Sequence, residues 1–261
     1  MRVIGIDAAS GAASVALVEN GLLLSEKTEL FSNFPSGTVR HSSKSNRAET
    51  LLPLVESLFE STGVSLRDIT GFALSIGPGS FTGLRIGLST VKGLAYGWEI
   101  PVVGVSTLFA YAARVTDYEG LICTLFDARK NEVYAALFRK TPDGLNRVTE
   151  DAVTSAANVV GMVRGLPGDS TCLFVGDGAV VYKHLLLQLP GVSLPEMTRY
   201  PTVAAAVARL GEDRFRSNRV DDLGLLTPAY LRRSEAEFKA SDFRSNLSSW
   251  EGKPTLTKIL P

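Results

Sequence analysis

One stretch of the sequence decides the fold: Ser75-Ile76-Gly77-Pro78-Gly79-Ser80-Phe81-Thr82-Gly83-Leu84-Arg85-Ile86-Gly87. The apolar run before its turn, Gly71–Leu74, predicts a buried strand, and residues Leu84–Trp98 predict a helix. The Gly-Pro-Gly sequence between them predicts a rigid turn, because glycine permits positive φ and proline fixes φ. Ser80 or Thr82 can cap the helix. This strand, turn and capped helix start would present N–H groups to an anion or to a partner chain.

The two common phosphate-loop motifs are absent from this stretch. A G-x-x-x-x-G-K-[ST] loop needs a lysine, and none lies between Ile69 and Val91. A G-x-G-x-x-G loop also fails, because the third glycine, Gly83, comes one position late. A tight connection with no ligand therefore stays open as the alternative to an anion site.

Small residues recur along the predicted helix, mostly three or four apart, and form a smooth stripe. They are Gly83, Gly87, Thr90, Gly93 and Gly97. Each internal glycine costs about 1 kcal/mol of helix stability relative to alanine. Several of them in one helix indicate that another backbone approaches closely, either from this chain or from a second protein.

The composition is that of a globular protein with a full core. The chain has 261 residues, of which 45% are hydrophobic, and this length favours two domains. Its 27 basic and 27 acidic residues balance, so no global positive field exists to hold nucleic acid. No apolar run approaches a membrane span, and the strand-like Arg2–Asp7 lacks the shape of a signal peptide. We expect a cytoplasmic protein that does not contact membranes.

The chain opens with a predicted three-stranded antiparallel meander. Its strands are Val3–Asp7, Ser14–Glu19 and Leu22–Thr28, and Asn20-Gly21 is a strong hairpin signal between the last two. A helix is predicted over Ala48–Thr62 from its broad apolar face. The loop before this helix is basic and either is simply solvated or contacts phosphate; its basic residues are Arg40, His41, Lys44 and Arg47.

A second meander echoes the first. The strand Leu121–Asp127 again ends in aspartate, and the turn Ala128–Glu132 leads into the strand Val133–Arg139. This repeated order predicts an α/β fold of two similar halves, each a mixed sheet opened by an antiparallel meander with helices packed on it. We expect the halves to span 1–105 and 106–240, followed by a loose tail, 241–261. Further predicted elements are the helices Ala156–Arg164, Val180–Gln188 and Val203–Leu210 and the strand Cys172–Val175.

Two strands that end in aspartate beside small-residue turns suit a nucleotide cleft. The turns could hold phosphate with backbone N–H groups, and the carboxylates could hold Mg²⁺ through water. The alternative is that both aspartates only cap their turns. The candidate residues for a weak nucleotide site are Asp7, Ser10, Gly11, Asp127, Arg129, Gly176, Asp177 and Gly178.

The sequence offers little catalytic chemistry. His41 and His184 are far apart and form no helical metal-binding motif, and no G-x-S-x-G elbow occurs. Cys123 and Cys172 have no paired spacing that predicts a disulfide or a zinc site. We therefore expect neither catalytic residues nor metal ligands in this chain.

The chain resembles the TsaB (YeaZ) family of tRNA threonylcarbamoyladenosine biosynthesis proteins, and the resemblance spans nearly its whole length. Its most specific part is the long glycine signature from Gly77 to Gly87. The other matching segments, in order, are Ile4-Gly5-Ile6-Asp7, Asp127-Ala128-Arg129, Glu132-Val133-Tyr134 and Pro228-Ala229-Tyr230-Leu231-Arg232.

The resemblance implies an actin/Hsp70/sugar-kinase-like (ASKHA) fold and a non-catalytic role. The implied partner is TsaD, which transfers threonylcarbamoyl to N6 of adenosine 37 in tRNAs that read ANN codons. TsaD carries a metal-binding H-x-x-x-H motif that this chain lacks, so metal is expected only in the partner. The ATPase TsaE would join the assembly, and tRNA contact would come only through the complex. This chain alone would require no cofactor, and ATP or ADP is possible in the complex. An ASKHA-type ATP-dependent small-molecule kinase and an M22-type glycoprotease remain the alternatives.

The resemblance also places the partner interface on the first two helices, which would bundle with TsaD or, in the isolated protein, with a second copy. The expected interface residues are Leu51, Leu54, Val55, Leu58, Ser80, Phe81, Thr82, Gly83, Arg85, Gly87, Leu88 and Val91. If Gly83 and Gly87 admit the partner helix, Gly87→Leu is expected to weaken binding to TsaD and leave the fold intact.

The first prediction concerns metal. Because no histidine or cysteine cluster is present in the sequence, the purified chain is expected to hold no stoichiometric zinc or iron. Elemental analysis of the protein after gel filtration checks this. One tightly bound transition metal per chain would contradict the non-catalytic role.

Overall fold

The computed structural model describes residues 1–31, 47–166, 171–195 and 203–232. Three of the basic loop residues, Arg40, His41 and Lys44, and the predicted tail, 241–261, lie outside these ranges.

The first half is a five-stranded mixed sheet in the order β3-β2-β1-β4-β5. β1, β2 and β3 form the predicted antiparallel meander, and β4 and β5 add to it in parallel. The hairpin predicted from Asn20-Gly21 is present, with φ of 49° and 84°, and such paired positive values fit a type I′ turn. The elements are β1 (Arg2–Asp7), β2 (Ala12–Glu19), β3 (Leu22–Leu30), α1 (Arg47–Thr62), β4 (Gly71–Gly77), α2 (Phe81–Tyr96) and β5 (Val102–Ser106).

The second half repeats this topology. Its sheet has the order β11-β10-β6-β7-β8, with β9 paired to β7, so the antiparallel meander is again extended by two parallel strands. The repeat predicted from the two aspartate-terminated strands is confirmed. The elements are α3 (Thr107–Ala113), β6 (Gly120–Arg129), β7 (Glu132–Thr141), β8 (Gly144–Arg147), β9 (Ala152–Ser155), α4 (Ala156–Arg164), β10 (Cys172–Val175), α5 (Asp177–Val181), α6 (Lys183–Leu186), β11 (Val192–Ser193) and α7 (Ala204–Arg216).

Three predicted helices have different bounds in the structure, and the first of them, predicted over Leu84–Trp98, spans Phe81–Tyr96. The predicted helix Val180–Gln188 is two short helices, because Tyr182, with φ −101° and ψ 18°, ends α5. The last helix continues six residues beyond Leu210 to Arg216. Its polar final turns are stabilised by ion pairs of 2.8 Å, from Arg214 to Asp221 and from Arg216 to Glu212, which the apolar pattern does not reveal.

The last helix, α7, returns to the first sheet, although the expected division assigned its residues to the second half. It packs across β1, β2 and β4. Glu212, only 2% exposed, accepts hydrogen bonds from the Gly21 N–H at 2.7 Å and from Arg216 at 2.8 Å, and so connects α7 to the β2–β3 hairpin. Glu26 of β3 accepts the Ala205 N–H at 3.2 Å. The limits of the two halves themselves stay a prediction.

Within the part of the chain that the structure describes, the buried side chains form three clusters. One lies between the first sheet and helices α1 and α2, and another lies between the second sheet and helices α4 to α6. The third contains residues of both sheets, including Val3, Ala73, Ile122 and Phe138, together with α3 and α7. The two halves therefore share a core.

The second prediction compares two helical glycines. Gly211 of α7 lies so close to Ala73 that a Cβ at position 211 would collide with the alanine methyl group, whereas a Cβ on Gly93 of α2 meets only open space. Alanine favours either helix by about 1 kcal/mol. Gly93→Ala is therefore expected to raise the free energy of unfolding by up to about 1 kcal/mol. Gly211→Ala is expected to lower it by about 1–3 kcal/mol, because overpacking outweighs the propensity gain.

Urea denaturation of both variants and the parent measures these changes. Equal stability of Gly211→Ala and Gly93→Ala would show that α7 does not approach β4 as closely as described.

Candidate functional site: the cleft and the first helix pair

Asp7, the aspartate that ends β1, is buried and accepts hydrogen bonds from the turn that follows it. Asp7 is 1% exposed, its Oδ2 accepts the Ser10 hydroxyl at 2.6 Å, and its Oδ1 accepts the Ala9 N–H at 3.3 Å. Burial raises the pKa of Asp7, and the hydrogen bonds together with the charge of Arg114 offset part of that increase. Both carboxylate oxygens thus have partners within the protein. Of the two readings from sequence, this geometry matches the turn cap.

The matching aspartate in the second half is arranged differently. Asp127 is exposed, and its Oδ1 accepts the Arg129 N–H at 2.9 Å. Its own N–H donates to Oδ1 of Asp177 at 3.0 Å, which connects the end of β6 to the start of α5. Burial raises the pKa of Asp177. The two strand-ending aspartates therefore do not form an equivalent pair.

A pocket of about 230 Å³ lies at the carboxyl ends of β6 and β10, and we call it the cleft pocket. The structure brings four predicted residues to it, namely Ser10, Gly11, Gly176 and Asp177. The other four candidates do not line it; they are Asp7, Asp127, Arg129 and Gly178. The lining residues are Ser10, Gly11, Tyr111, Arg114, Phe126, Phe174, Val175, Gly176, Asp177, Ala179, Val180, Lys183, Leu194 and Pro195.

Sequence reasoning missed the two cations of the cleft pocket. Arg114 is the C-cap residue of α3, and Lys183 begins α6. Arg114 lies far from any glycine-rich turn in sequence, and Lys183 comes five residues after the Gly176-Asp177-Gly178 turn, so no motif indicated either of them. The ring of Tyr111, one turn before Arg114, has its centroid 3.9 Å from the guanidinium carbon and positions that cation.

The glycines of the β10–α5 turn have a structural reason to be glycine. Gly176 has φ of +109°, and a Cβ there would collide with the Leu125 carbonyl oxygen. A Cβ on Gly178 would lie 2.9 Å from the same oxygen. Both residues let α5 pack on the end of β6, whether or not a ligand is bound.

The structure of α1 and α2, the first helix pair, shows that part of the expected interface is buried. Four of its apolar side chains and two of its glycines are buried within the chain's own core, so they cannot contact a partner directly. They are Leu51, Val55, Leu58, Val91, Gly83 and Gly87. A Cβ on Gly87 would lie 3.7 Å from the methyl group of Ala8, so this glycine faces the β1–β2 turn. Of the two alternatives left open from the sequence, a close neighbour within this chain or a second protein, Gly87 has the first.

Residues at the start of α2 also make contacts within the same chain. Ser80 caps it as predicted and accepts the Gly83 N–H at 3.3 Å. The rings of Phe81 and Tyr230 stack with centroids 4.5 Å apart and an 8° angle between planes. Arg85 donates from Nε to the Tyr230 hydroxyl at 3.0 Å.

Six of the twelve expected interface residues are exposed or partly exposed. Thr82 and Arg85 are exposed, and Ser80, Phe81, Leu54 and Leu88 are partly exposed. Two further apolar side chains on the same helices are exposed, Leu52 at 47% and Tyr96 at 82%, and sequence reasoning did not single out Tyr96. The exposed glycines are Gly93 and Gly97, at the other end of the stripe, and each faces open space.

Two features are absent from the described residues, a group of metal ligands and a helix that could span a membrane. No group of three or more histidine, cysteine, aspartate or glutamate side chains within them is arranged to hold a metal ion. None of their helices combines the length and the apolar character that crossing a membrane requires.

The fold and the pocket define the class of protein. Two sheets with the same strand order, each a meander extended by parallel strands, and a pocket at the carboxyl ends of the second, are the plan of an ASKHA α/β protein. The solved structure of YeaZ from Pseudomonas aeruginosa superposes with a TM-score of 0.71 and 25% identity, over 88% of this chain and 99% of that one.

The chain belongs to the TsaD family, tRNA N6-adenosine threonylcarbamoyltransferase, whose family model matches residues 24–240. It is similar to the tRNA threonylcarbamoyladenosine biosynthesis protein TsaB of Bacillus subtilis, with 27% identity over 92% of this chain and 97% of that protein. It is 36% identical to TsaB of Escherichia coli over 56% of this chain and 58% of that protein.

The third prediction uses the raised pKa of Asp7. A carboxyl group whose native pKa lies above its unfolded value of 3.8 favours folding at low pH, and this contribution is lost as pH rises through the native pKa. Asp7→Asn keeps the shape and cannot ionise. The variant is therefore expected to gain stability relative to the parent as pH rises from about 4 to 8.

Urea denaturation of both proteins at several pH values measures this difference. A difference that does not change with pH would show that Asp7 carries the same charge in the folded and unfolded states.

Proposed function

We propose that this chain is a non-catalytic subunit of tRNA threonylcarbamoyladenosine biosynthesis that activates TsaD. The observation that carries the proposal is similarity along nearly the whole chain to proteins named for that pathway, with a matching three-dimensional structure. The modification of adenosine 37 in tRNAs that read ANN codons would be performed by TsaD. This chain would take part from the cytoplasm and would meet tRNA only within the complex.

The cleft geometry supports the non-catalytic part of the proposal. An ATP-dependent kinase of this fold class would need carboxylates free to hold Mg²⁺ beside the phosphates. Here Asp7 is buried with both oxygens hydrogen-bonded, and Asp127 lies outside the cleft pocket. Any ATP or ADP that the assembly requires would then act on the partner chains, including the TsaE ATPase, rather than here.

The partner would dock on the solvent side of the first helix pair. We define the α1/α2 face as Leu52, Thr82, Arg85, Ser89, Gly93 and Tyr96. It combines two exposed apolar side chains, Leu52 and Tyr96, with small residues between them on α2. Open space above Gly93 lets the backbone of a second helix approach closely, where dispersion is strongest. The same face would serve a TsaD heterodimer and, in the isolated protein, a homodimer.

Reconstitution of threonylcarbamoyl transfer to tRNA tests the proposed role. Mixtures of TsaD and TsaE with and without this chain are compared, and each protein is also assayed alone with ATP. Transfer that depends on adding this chain supports the activating role. Full transfer without it, or phosphotransfer by the isolated chain, would overturn it.

The fourth prediction separates docking from folding at the α1/α2 face. Gly93→Leu is expected to weaken co-elution with TsaD and lower transfer by at least about tenfold, since a leucine would hold the partner helix away. The matched control is Gly161→Leu, another exposed helical glycine in open space, on α4 of the second half. Both changes are expected to leave the free energy of unfolding unchanged or slightly higher, because leucine is the better helix former.

Gel filtration with TsaD and thermal unfolding of each variant measure the two effects. Wild-type binding by Gly93→Leu, or equal losses in both variants, would move the interface away from this face.

A further inference from the structure

Arg85 is the one charged residue of the α1/α2 face, and its own helix supplies no counter-charge. Its neighbours three or four positions away along α2 are Phe81, Thr82, Leu88 and Ser89, none of which is acidic. The sequence of α2 contains no aspartate or glutamate at all. Within the described part of the chain, Arg85 is exposed and forms no ion pair.

Two stacked aromatic rings hold the Arg85 side chain in one place. Its guanidinium carbon lies 5.8 Å from the centroid of the Tyr230 ring and 6.0 Å from that of the Phe81 ring. Its Nε donates to the Tyr230 hydroxyl at 3.0 Å. Tyr230 is fixed in turn, because the N–H of the preceding residue, Ala229, donates to the Ile76 carbonyl at 2.7 Å. Arg85 is therefore positioned before any partner arrives.

The hydrogen bond to Tyr230 leaves the charge of Arg85 without a counter-ion. The tyrosine hydroxyl is neutral, and it occupies Nε only. Among the described residues, neither terminal nitrogen of this guanidinium donates a hydrogen bond. Those two nitrogens lie side by side in one plane and match the two oxygens of a carboxylate. Tyr230 thus fixes one edge of the guanidinium and leaves the other edge open.

Docking of a partner would change the surroundings of this charge. Thr82 and Ser89 flank Arg85 along α2, so a helix that packs along the face over Gly93 would also remove water from the guanidinium. A cation that loses water without gaining a carboxylate is strongly unfavourable, whereas a hydrogen-bonded pair largely offsets that cost. A partner that binds this face therefore has to bring a negative group to Arg85.

We propose that Arg85 determines partner specificity on the α1/α2 face by pairing, through both terminal nitrogens, with one aspartate or glutamate side chain of TsaD. Tyr230 is the positioning residue for this pair. A protein with an apolar or basic side chain at the same point would leave the arginine dehydrated and unpaired, and so would be rejected. This inference rests on the proposed function and names the chemistry of its partner.

Calorimetric titration of TsaD with full-length variants tests the pair. Arg85→Met keeps the length of the side chain and is expected to weaken binding at least about tenfold, the scale of one lost charge-assisted hydrogen bond. Arg85→Glu is expected to weaken it at least about a hundredfold, because it brings two carboxylates together. The matched control is Arg139→Met, which removes an exposed arginine of β7 in the second half and is expected to bind as the parent does.

A double-mutant cycle tests the positioning role of Tyr230. Tyr230→Phe keeps the stacked ring and removes the hydroxyl that accepts from Arg85. It is expected to weaken TsaD binding about threefold in the parent and not at all in the Arg85→Met background. A purely structural role of the hydroxyl would lower the affinity equally in both backgrounds.

Charge exchange identifies the carboxylate on the partner. Arg85→Glu is combined with single replacements of the exposed aspartates and glutamates of TsaD by arginine. One of these replacements is expected to restore binding to within about tenfold of the parent pair, while it weakens binding of the parent chain.

Several results would overturn the inference. They are parent-like affinity of Arg85→Met, an equal loss in Arg139→Met, or no restoring replacement in TsaD. Loss of self-association without loss of TsaD affinity would assign the pair to a second copy of this chain and would also overturn it. If the parent chain does not bind TsaD, the proposed function fails as well, whereas parent binding that ignores Arg85 removes this inference alone. Circular dichroism of each variant shows that a loss of binding does not arise from unfolding.

Discussion

The arrangement of the first half depends on how closely the β1–β2 turn lies against the start of α2. The Ala9 carbonyl accepts the Ser80 N–H at 2.8 Å, and a Cβ on Gly79 would collide with that same carbonyl oxygen. Two turns further along α2, Gly87 lies against the methyl group of Ala8. On its other side, the turn contributes Ser10 and Gly11 to the cleft pocket. A single short turn thus connects the cleft pocket to the helix that carries the proposed docking face.

The last described residues of the chain pack against the connection from β4 to α2 and against the start of α2. The Ala229 N–H donates to the Ile76 carbonyl at 2.7 Å, and the Ala229 carbonyl oxygen faces Gly77, whose φ of +120° only glycine adopts without strain. Tyr230 then stacks on Phe81 and binds Arg85. The glycine signature at residues 77–87 and the matching segment at residues 228–232 are therefore in direct contact through Ala229 and Tyr230. Because these two segments lie far apart in the sequence, no sequence pattern predicts this contact.

Local signals in the sequence were sufficient for most of the fold. The Asn20-Gly21 hairpin, the Ser80 cap and the repeated meander each depend on neighbouring residues and appear as predicted, although β6 continues two residues beyond Asp127 to Arg129. The sites were harder to predict because they depend on tertiary packing. A row of helical glycines indicates a close neighbour but does not identify it, and at Gly87 the neighbour is Ala8 of the same chain. Arg114 and Lys183 reach one pocket only because two helices from separate parts of the chain converge there.

The return of α7 to the first sheet has a consequence for the newly made chain. The face of that sheet that α7 covers includes Val3, Val18, Ala73 and Val103, all fully buried in the finished protein. During synthesis these residues emerge long before Ala204, and at about 5–20 residues per second the complete face stays uncovered for roughly 5–20 seconds. An exposed apolar sheet of this kind is prone to aggregation and is a natural substrate for chaperones. Most of the chain therefore has to emerge from the ribosome before α7 can cover this face of the first sheet.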